Sequence, residues 1–380
     1  MRVMISCGEP SGDLYAGALA AEILQASPST VITGFGSDRL KAAGASLVGD
    51  FSGLSVTGLM EVARVLPRTY ATYRRLIDDA ETTRPDVFVA IDFPDFNFRL
   101  AAAVRKRGVP VVYYISPQLW AWRRGRMRTM RRIADRVLVI FPFEEAIYRE
   151  AGVPVQWVGH PLLDVARTPE PRTAFLARLQ LDPNRPVVAL LPGSRRNELH
   201  AILPDLVNAA LLIRDRVPGV QWIVARAPHL DSEAFAPLKR LAGQVAMVEH
   251  QTDDVLAAAD LALVASGTVT VQAALHECPM VVVYRLSALT YRLGKPFVHV
   301  DTYAMANLVA GRRVVPELIQ EDFTPERVAA EALRVLTDPV HAASVRRSLR
   351  EVRGKLGEPG ASRRAAAAVL EVARAGRKDR

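Results

Sequence analysis

The sequence predicts an α/β protein made of two doubly wound, Rossmann-like domains that face each other across a cleft. Its 380 residues exceed what a single hydrophobic core usually supports. Short apolar, β-branched runs alternate with helical patterns, which is typical of βαβ units in a parallel sheet. The alternation stops near residue 166 and then starts again. In such domains, ligands bind in the crevice beyond the carboxyl ends of the strands.

The first domain, residues 1–165, contains six strand-like runs separated by helical patterns such as Leu14–Leu24 and Phe98–Arg107. The predicted strands are Val3–Cys7, Val31–Gly36, Val87–Ile91, Val109–Ile115, Val137–Ile140 and Val155–Gly159. The segment "ARTPEPRTAFL" then concentrates Pro, Thr and charge. We therefore predict the interdomain linker at Ala166–Pro171.

The second domain, residues 172–354, repeats the same pattern with five further runs. The predicted strands are Val187–Leu191, Val220–Ala225, Val245–Val248, Leu261–Ala265 and Met280–Tyr284. An Ala- and Arg-rich tail follows, and its pattern predicts a helix over Ala361–Ala375. A C-terminal helix within residues 355–380 can pack back onto the first domain.

The composition indicates a globular protein with an anionic partner or surface. The formal net charge is +9, which suits nucleic acid, acidic lipid or a phosphorylated ligand without choosing among them. Cys7 and Cys278 lie far apart beside strand-like runs, so we expect two buried thiols in a reducing compartment. Neither a secretory signal pattern nor an uncharged apolar run of about 18 residues is visible. We therefore expect a soluble or peripheral protein.

The motif "GEPSGD" follows the first predicted strand and opens a helix. It has neither the G-x-G-x-x-G nor the P-loop spacing, and its carboxylates Glu9 and Asp13 oppose a phosphate guest. One interpretation is that Ser11 or Asp13 caps the helix. The other is that Glu9 binds sugar hydroxyls.

The motif "AIDFPDFNFRL" places Asp92 and Asp95 just beyond a predicted buried strand. A catalytic base would lie at this position in a doubly wound sheet. The spacing does not suit a metal site, and no further acid cluster supports one. A turn-forming role next to Pro94 is the alternative for both residues.

Two strand–loop–helix motifs in the second domain predict a nucleotide-diphosphate site. In "VVALLPGSRRNELH" a buried strand leads into Ser194 and Arg195, which offer a hydroxyl and a guanidinium beside backbone N–H groups. In "LALVASGTVTVQAAL" a second strand leads into Ser266–Thr268. The two strands are expected to be near neighbours. Two ordinary capped helices are the alternative.

Two further segments combine apolar or aromatic residues with arginine. Trp120 and Trp122 stand beside seven arginines between Arg123 and Arg136, a pattern that suits nucleic acid, an anionic lipid surface, a phosphorylated acceptor or a solvated helix. The segment Leu59–Arg75 has helical apolar spacing with arginines between. It could lie in a membrane interface or be an ordinary core-facing helix.

Eight motifs now stand in one order across nearly the whole chain: "GEPSGD", "IDFPDFNF", "SPQLWAWR", "FPFE", "GHPLLD", "LLPGSR", "ASGT" and "NLVAGRRVVPELIQ". Together they resemble the lipid-A-disaccharide synthase family, glycosyltransferases of the GT-B architecture. The resemblance implies transfer of 2,3-diacylglucosamine from its UDP derivative to the 6-hydroxyl of 2,3-diacylglucosamine 1-phosphate (lipid X). The products are UDP and a β-1,6-linked disaccharide, made at the cytoplasmic face of the inner membrane. The first half would hold the acceptor and the second half UDP, so "GEPSGD" would face a sugar.

The resemblance also implies roles for particular residues. Asp92 corresponds to the acid implicated in catalysis and is assigned as general base, with Asp95 and Glu9 in support; a carboxylate can take the proton as the anomeric C–O bond breaks. Arg195, with Ser194, would neutralise the leaving diphosphate. The residues expected to cradle the phosphates or line the nucleotide cleft are Ser266, Gly267, Thr268, Asn307, Glu317 and Gln320. Because these groups would do a cation's work, we expect neither a metal nor another cofactor. The family includes dimers that exchange C-terminal segments, and the Ala-rich tail permits such a homodimer.

Gln272 departs from the family pattern. After "ASGT" the family usually has a Glu suited to accept from ribose hydroxyls, and Gln keeps an acceptor oxygen without the charge. The sequence therefore predicts that Gln272→Glu tightens UDP binding.

Two rival functions remain open. Another UDP-sugar enzyme of the same architecture, such as a UDP-N-acetylglucosamine 2-epimerase, would need no lipid acceptor. A nucleic-acid-binding protein would use Arg123–Arg136, but Asp92, Asp95 and Glu9 would repel phosphate.

Overall fold

The computed structural model describes residues 1–51, 59–122, 124–228, 230–241, 245–286 and 302–378, with backbone only at 59–65, 121, 122, 124 and 378. The chain divides into two units. The first unit comprises Met1–Val165 with Leu356–Arg380, and the second comprises Ala166–Lys355. Each is built on a parallel sheet, which confirms the predicted pair of doubly wound α/β domains.

The sheet of the first unit has seven parallel strands in the order β3-β2-β1-β4-β5-β6-β7. Their bounds are β1 Arg2–Ser6, β2 Val31–Gly36, β3 Ser46–Asp50, β4 Val87–Ile91, β5 Val111–Tyr114, β6 Arg136–Val139 and β7 Val155–Trp157. The strand order reverses between β1 and β4, so the ligand crevice of a doubly wound sheet belongs at their carboxyl ends.

Helices connect these strands, and several begin with proline, whose fixed φ suits the first helical turn. Their bounds are α1 Pro10–Ala26, α2 Asp38–Ala42, α3 Leu59–Thr83, α4 Pro94–Arg105, α5 Leu119–Trp122, α6 Met127–Ile133, α7 Pro142–Glu150 and α8 Leu162–Val165. The C-terminal helix, Ala361–Lys378, belongs to this unit and packs against α1.

The sheet of the second unit has six parallel strands in the order β10-β9-β8-β11-β12-β13. The strands are β8 Val187–Leu191, β9 Gln221–Arg226, β10 Val245–Glu249, β11 Leu261–Ala265, β12 Met280–Tyr284 and β13 Glu317–Ile319. The helices are α9 Arg172–Arg178, α10 Arg196–Arg214, α11 Thr252–Ala258, α12 Val269–Leu275, α13 Met305–Ala310, α14 Pro325–Thr337 and α15 Pro339–Lys355.

The most deeply buried strands were all predicted from the sequence. Strands β4, β5, β8 and β11 are buried at every residue, so they read as continuous apolar runs. Sequence analysis missed β3 and β13. Strand β3 is a half-exposed edge strand with the sequence SLVGD, and β13 has only three residues.

Both cysteines are buried free thiols, as predicted. Burial raises the pKa of the Cys278 thiol to about 12. Among the described residues, no helix combines the length and apolar character needed to cross a bilayer.

Candidate active site

The first candidate region lies at the carboxyl ends of β1 and β4. These strands are hydrogen-bonded neighbours, with Ser6 opposite Ala90. Glu9 therefore follows one strand and Asp92 the other at the point where the strand order reverses. The sequence had placed both residues at this edge, and both are partly exposed.

Asn97 joins the two strand ends. Its Nδ2 donates to the carbonyls of Ser6 at 3.1 Å and Asp92 at 2.9 Å, and its Oδ1 accepts the Ser6 hydroxyl at 2.6 Å. The side chain is fully buried. Sequence analysis gave Asn97 no role, although it lies within the quoted motif "IDFPDFNF".

Asp92 has a left-handed backbone conformation, with φ 44°. Such a conformation costs about 1–3 kcal/mol in a residue other than glycine and persists only where neighbours hold it. Here the Asp92 carbonyl also accepts from the Tyr113 hydroxyl at 2.8 Å, and its N–H donates to the Tyr114 carbonyl at 3.3 Å. The next residue, Phe93, is left-handed as well, and its ring leaves no room for a Cβ at Gly8. The backbone that carries the Asp92 carboxylate is therefore rigidly defined.

Asp95 lies in the first turn of α4 and forms an ion pair with Arg126, 2.7 Å from Oδ1 to Nη2. The Asp95 side chain is 70% exposed. Arg126 also lies over the Phe98 ring, 5.6 Å from its centre. Asp95 therefore fixes part of the arginine-rich segment beside α4.

The interpretation that Ser11 or Asp13 caps its own helix is wrong, because the N-cap residue of α1 is Glu9 and both residues lie inside the helix. The buried Asp13 carboxylate instead accepts the backbone N–H groups of Ser37, Arg39 and Leu40, at 2.7, 2.9 and 3.3 Å. These groups belong to the start of α2. Asp13 therefore joins α1 to α2, and the sugar-binding role of Glu9 stays a prediction.

A buried polar group lies beyond the ends of β5 and β6. Trp120 donates from Nε1 to Glu144 Oε1 at 3.2 Å, and the Phe141 N–H donates to Glu144 Oε2 at 3.2 Å. Burial raises the pKa of Glu144 to about 7. His160 nearby contacts Phe141, and its burial lowers its pKa to about 3, so the ring is neutral. Sequence analysis quoted the motifs of Glu144 and His160 but assigned neither a role.

In the second unit, the two predicted phosphate loops lie side by side. Strands β8 and β11 are direct neighbours, with Leu191 opposite Val264, which confirms that expectation. Gly193 has φ 116°, and a Cβ added there would lie 2.9 Å from Glu198 Oε2 and 3.7 Å from the Ala265 Cβ. Glycine is therefore required where the first loop approaches the second.

Arg195 and Ser194 lie at the start of α10. Arg195 Nη1 donates to Glu198 Oε1 at 2.9 Å, and the arginine side chain stays about one-third exposed. Ser194 is exposed. Glu198, which sequence analysis missed, therefore orients the guanidinium.

The "ASGT" loop is anchored at both ends. The Ser266 N–H donates to the Val283 carbonyl at 2.9 Å, and the Thr270 hydroxyl donates to the Gly267 carbonyl at 2.9 Å. Gly267 and Thr268 between these anchors are exposed. Gln272, one turn further on, donates to Asp253.

Three residues predicted to line the nucleotide cleft hydrogen-bond mainly to other groups of the protein: Asn307, Glu317 and Gln320. Asn307 Oδ1 accepts the N–H groups of Val314 and Val315, while its Nδ2 donates to the Val315 carbonyl and to Glu317. These four bonds use the whole capacity of an Asn side chain. Glu317 also accepts the N–H groups of Tyr303 and Ala304, and the buried Gln320 amide pairs with the Leu286 backbone. Their nucleotide-binding role stays a prediction. In the structure, Asn307 holds the backbone at Val314 and Val315 and the Glu317 side chain.

Two solved structures share this fold over nearly the whole chain. The UDP-N-acetylglucosamine 2-epimerase of Neisseria meningitidis, solved with UDP-N-acetylglucosamine, covers 98% of this chain and 100% of its own, with a TM-score of 0.68 at 13% identity. The calicheamicin glycosyltransferase CalG4 covers 98% of both chains, with a TM-score of 0.61 at 17% identity. The chain therefore has the fold of the GT-B class.

Sequence similarity then identifies the family. The family model described as lipid-A-disaccharide synthetase matches residues 3–372. The lipid-A-disaccharide synthase of Geobacter metallireducens is 46% identical over 375 residues, covering 98% of this chain and 97% of the relative. That of Myxococcus xanthus is 44% identical over 377 residues, covering 99% and 98%. The chain belongs to the lipid-A-disaccharide synthase family and is a glycosyltransferase.

Proposed function

We propose that this enzyme transfers 2,3-diacylglucosamine from its UDP derivative to the 6-hydroxyl of lipid X. The products are the β-1,6-linked disaccharide 1-phosphate and UDP. The observation that carries the proposal is the rigid left-handed backbone at Asp92, which presents a carboxylate at the strand-order reversal of the first sheet. Family membership supplies the substrates.

In the proposed reaction, Asp92 takes the proton from the acceptor 6-hydroxyl. The hydroxyl oxygen forms a bond to the anomeric carbon while the bond from that carbon to the diphosphate oxygen breaks, with inversion. Asn97 and Tyr113 do not touch the substrate but hold the Asp92 backbone through its carbonyl. A base held in place in this way accelerates reactions by typically 10²–10⁴-fold.

The second unit would stabilise the leaving UDP. Arg195, oriented by Glu198, and the exposed Ser194 offer donors to the diphosphate, as do Gly267 and Thr268 of the adjacent loop. Fixed donors act most strongly where charge develops in the transition state. That no metal ion is needed stays a prediction.

The test is a thin-layer assay of purified protein with UDP-2,3-diacylglucosamine and labelled lipid X, in chelator. We expect the parent to form disaccharide and Asp92→Asn and Arg195→Ala to be strongly impaired. Asp78→Asn removes an exposed carboxylate on α3 and serves as the matched control. Full activity of Asp92→Asn would refute the assignment of the base.

The same preparation tests the rival functions. The epimerase alternative is kept because solved structures with this fold include UDP-N-acetylglucosamine 2-epimerases. Turnover of UDP-N-acetylglucosamine without an acceptor would favour it. A gel shift that survives physiological salt would instead favour nucleic-acid binding.

We also propose that the enzyme binds peripherally to the inner face of the inner membrane, since both substrates are acylated anionic lipids. On α3, Leu66 and Tyr70 are 58% and 62% exposed, beside the exposed Arg68 and Arg74. The predicted contributions of the side chains at 59–65 and at Trp122, Arg123 and Arg124 lie outside the side chains that the structure describes. Exposed apolar side chains with flanking arginines suit an anionic interface.

Sedimentation with phosphatidylglycerol vesicles tests this proposal. Binding should weaken with salt and fall in the double variant Leu66→Ser, Tyr70→Ser. Val340→Ser removes an apolar side chain of the second unit that is 80% exposed, and it should bind like the parent. Absence of binding at every salt concentration would contradict the proposal.

A homodimer also stays a prediction, which light scattering would test.

A further inference from the structure

Gln272 is held by a buried carboxylate that the proposed function does not use. Its Nε2 lies 2.7 Å from Asp253 Oδ1, and His276 Nε2 lies 2.8 Å from the same oxygen. The other oxygen of Asp253 accepts the Arg167 N–H at 3.0 Å. The Asp253 side chain is 9% exposed and that of His276 11%. The three donors therefore surround a carboxylate that is nearly closed off from water.

This arrangement decides which way the Gln272 amide faces. Burial would raise the pKa of Asp253, but the donors from His276, Gln272 and Arg167 outweigh it and hold the pKa below its usual value. An ionised carboxylate can only accept hydrogen bonds. Gln272 must therefore turn its NH₂ group toward Asp253, and its carbonyl oxygen is directed away.

We propose that Asp253 is a positioning residue of the nucleotide site, which orients Gln272 so that its carbonyl oxygen accepts from a ribose hydroxyl of UDP. The inference rests on the proposed function and on the position of Gln272, one helical turn after Thr268 of the phosphate loop. The negative charge thus lies on Asp253. The Gln272 amide lies between this carboxylate and the ribose, with its NH₂ group bonded to Asp253 and its carbonyl oxygen toward the ribose hydroxyl.

The sequence-based expectation for Gln272→Glu is then reversed. The substitution would bring two carboxylates together where an N–H···O bond of 2.7 Å now stands. Like charges at this distance cannot both ionise without cost. We expect the single change to weaken UDP binding. Adding Asp253→Asn supplies an NH₂ donor to the introduced carboxylate, so the double variant should bind UDP at least as tightly as the parent.

The test is calorimetric titration of the full chain with UDP and with 2′,3′-dideoxy-UDP, which lacks both ribose hydroxyls. The parent should favour UDP by roughly 3- to 10-fold, the value of one net hydrogen bond. In Asp253→Ala and in Gln272→Ala this preference should disappear while the affinity for 2′,3′-dideoxy-UDP stays unchanged. The double variant Asp253→Ala, Gln272→Ala should lose no more affinity for UDP than Gln272→Ala alone, because the two side chains act as one unit.

Asp254→Ala is the matched control. Asp254 is the adjacent buried carboxylate, and it accepts the Glu170 N–H at 2.7 Å, so it anchors the same stretch of chain as Asp253 does. This bond has no part in orienting Gln272. The control should lose stability like Asp253→Ala but keep the preference for UDP.

The outcomes separate this inference from the proposed function. A folded parent that binds neither nucleotide would overturn the proposed function and this inference with it. A parent that prefers UDP, with the preference intact in Asp253→Ala, would overturn the positioning role alone. Tighter UDP binding by Gln272→Glu as a single change would do the same. If Asp253→Ala does not fold, a double-mutant cycle of Gln272→Glu and Asp253→Asn replaces it. Additive effects of these two changes on UDP affinity would refute the coupling between the two residues.

Discussion

Glu144→Gln is expected to remove a pH dependence of stability that the parent carries. The Glu144 side chain is buried beneath Trp120, and burial raises its pKa from 4.5 to about 7 despite the N–H groups of Trp120 and Phe141. The folded state therefore binds this proton more tightly than the unfolded state does. The stability is fully present below the unfolded pKa and is lost as pH rises through the folded pKa.

The size of the effect follows from the two pKa values. With about 4.5 in the unfolded chain and about 7 in the folded one, linkage gives a loss of about 2.5 kcal/mol between pH 5 and pH 8. Glutamine cannot titrate, so the variant lacks this loss. Its NH₂ group cannot accept from one of the two donors, which costs a pH-independent amount of about 1 kcal/mol.

Urea unfolding at pH 5 and pH 8 measures the difference. The control Glu145→Gln changes the neighbouring, partly exposed carboxylate. From pH 5 to pH 8 the free energy of unfolding should fall by about 2.5 kcal/mol more in the parent and the control than in Glu144→Gln. The contributions of other titrating groups are the same in all three proteins and cancel in the comparison. Equal losses in parent and variant would refute the conclusion that burial raises the pKa of Glu144 in the folded state.

Three further changes test how the site is held together. Asn97→Ala should lower the free energy of unfolding by about 2–4 kcal/mol, because buried carbonyls lose their donor. The fraction that remains folded should also have a lower kcat, because the Asp92 backbone is no longer held in place. Urea unfolding beside the disaccharide assay checks it, and a parent-like kcat would contradict the positioning of Asp92. Gly193→Ala should weaken UDP binding about 10-fold, because the new Cβ meets Glu198 and φ is unfavourable; unchanged affinity in calorimetry would show that the loop adapts. Asp13→Asn should cost about 1.5–3 kcal/mol in urea unfolding, since one N–H at the start of α2 loses its acceptor, with the KM for lipid X unchanged; a raised KM would place Asp13 in the acceptor site.

The glycosyltransferase fold of this chain could be predicted because its strands and helices are local patterns. Buried parallel strands such as Val187–Leu191 are apolar at each residue, so their bounds are visible in the sequence. The edge strand Ser46–Asp50 gave no such signal, since it is short, half exposed and contains Gly and Asp.

The candidate site was predicted less evenly. The position of Asp92 at a strand end followed from chain order, and so did the positions of the two loops that are predicted to bind phosphate. The roles of Asp13 and Asn307 did not follow, because each side chain bonds to backbone groups that only the folded chain brings to it. Asn97, Glu144, Glu198 and Asp253 were missed because a single polar residue within a helix shows nothing of its partners.

The sequence by itself determined the two-sheet architecture, the family and the sheet edges at which ligands are expected to bind. These properties depend on the period of apolar residues and on motif order, which are written along the chain. The tertiary structure alone decided which groups of the protein the polar side chains at those edges bond to. Hydrogen bonds are short and directional, so the use of a carboxylate or an amide depends on atoms that folding brings within about 3 Å. Gln272 is the sharpest case, because Asp253 determines which end of its amide is turned away from the protein.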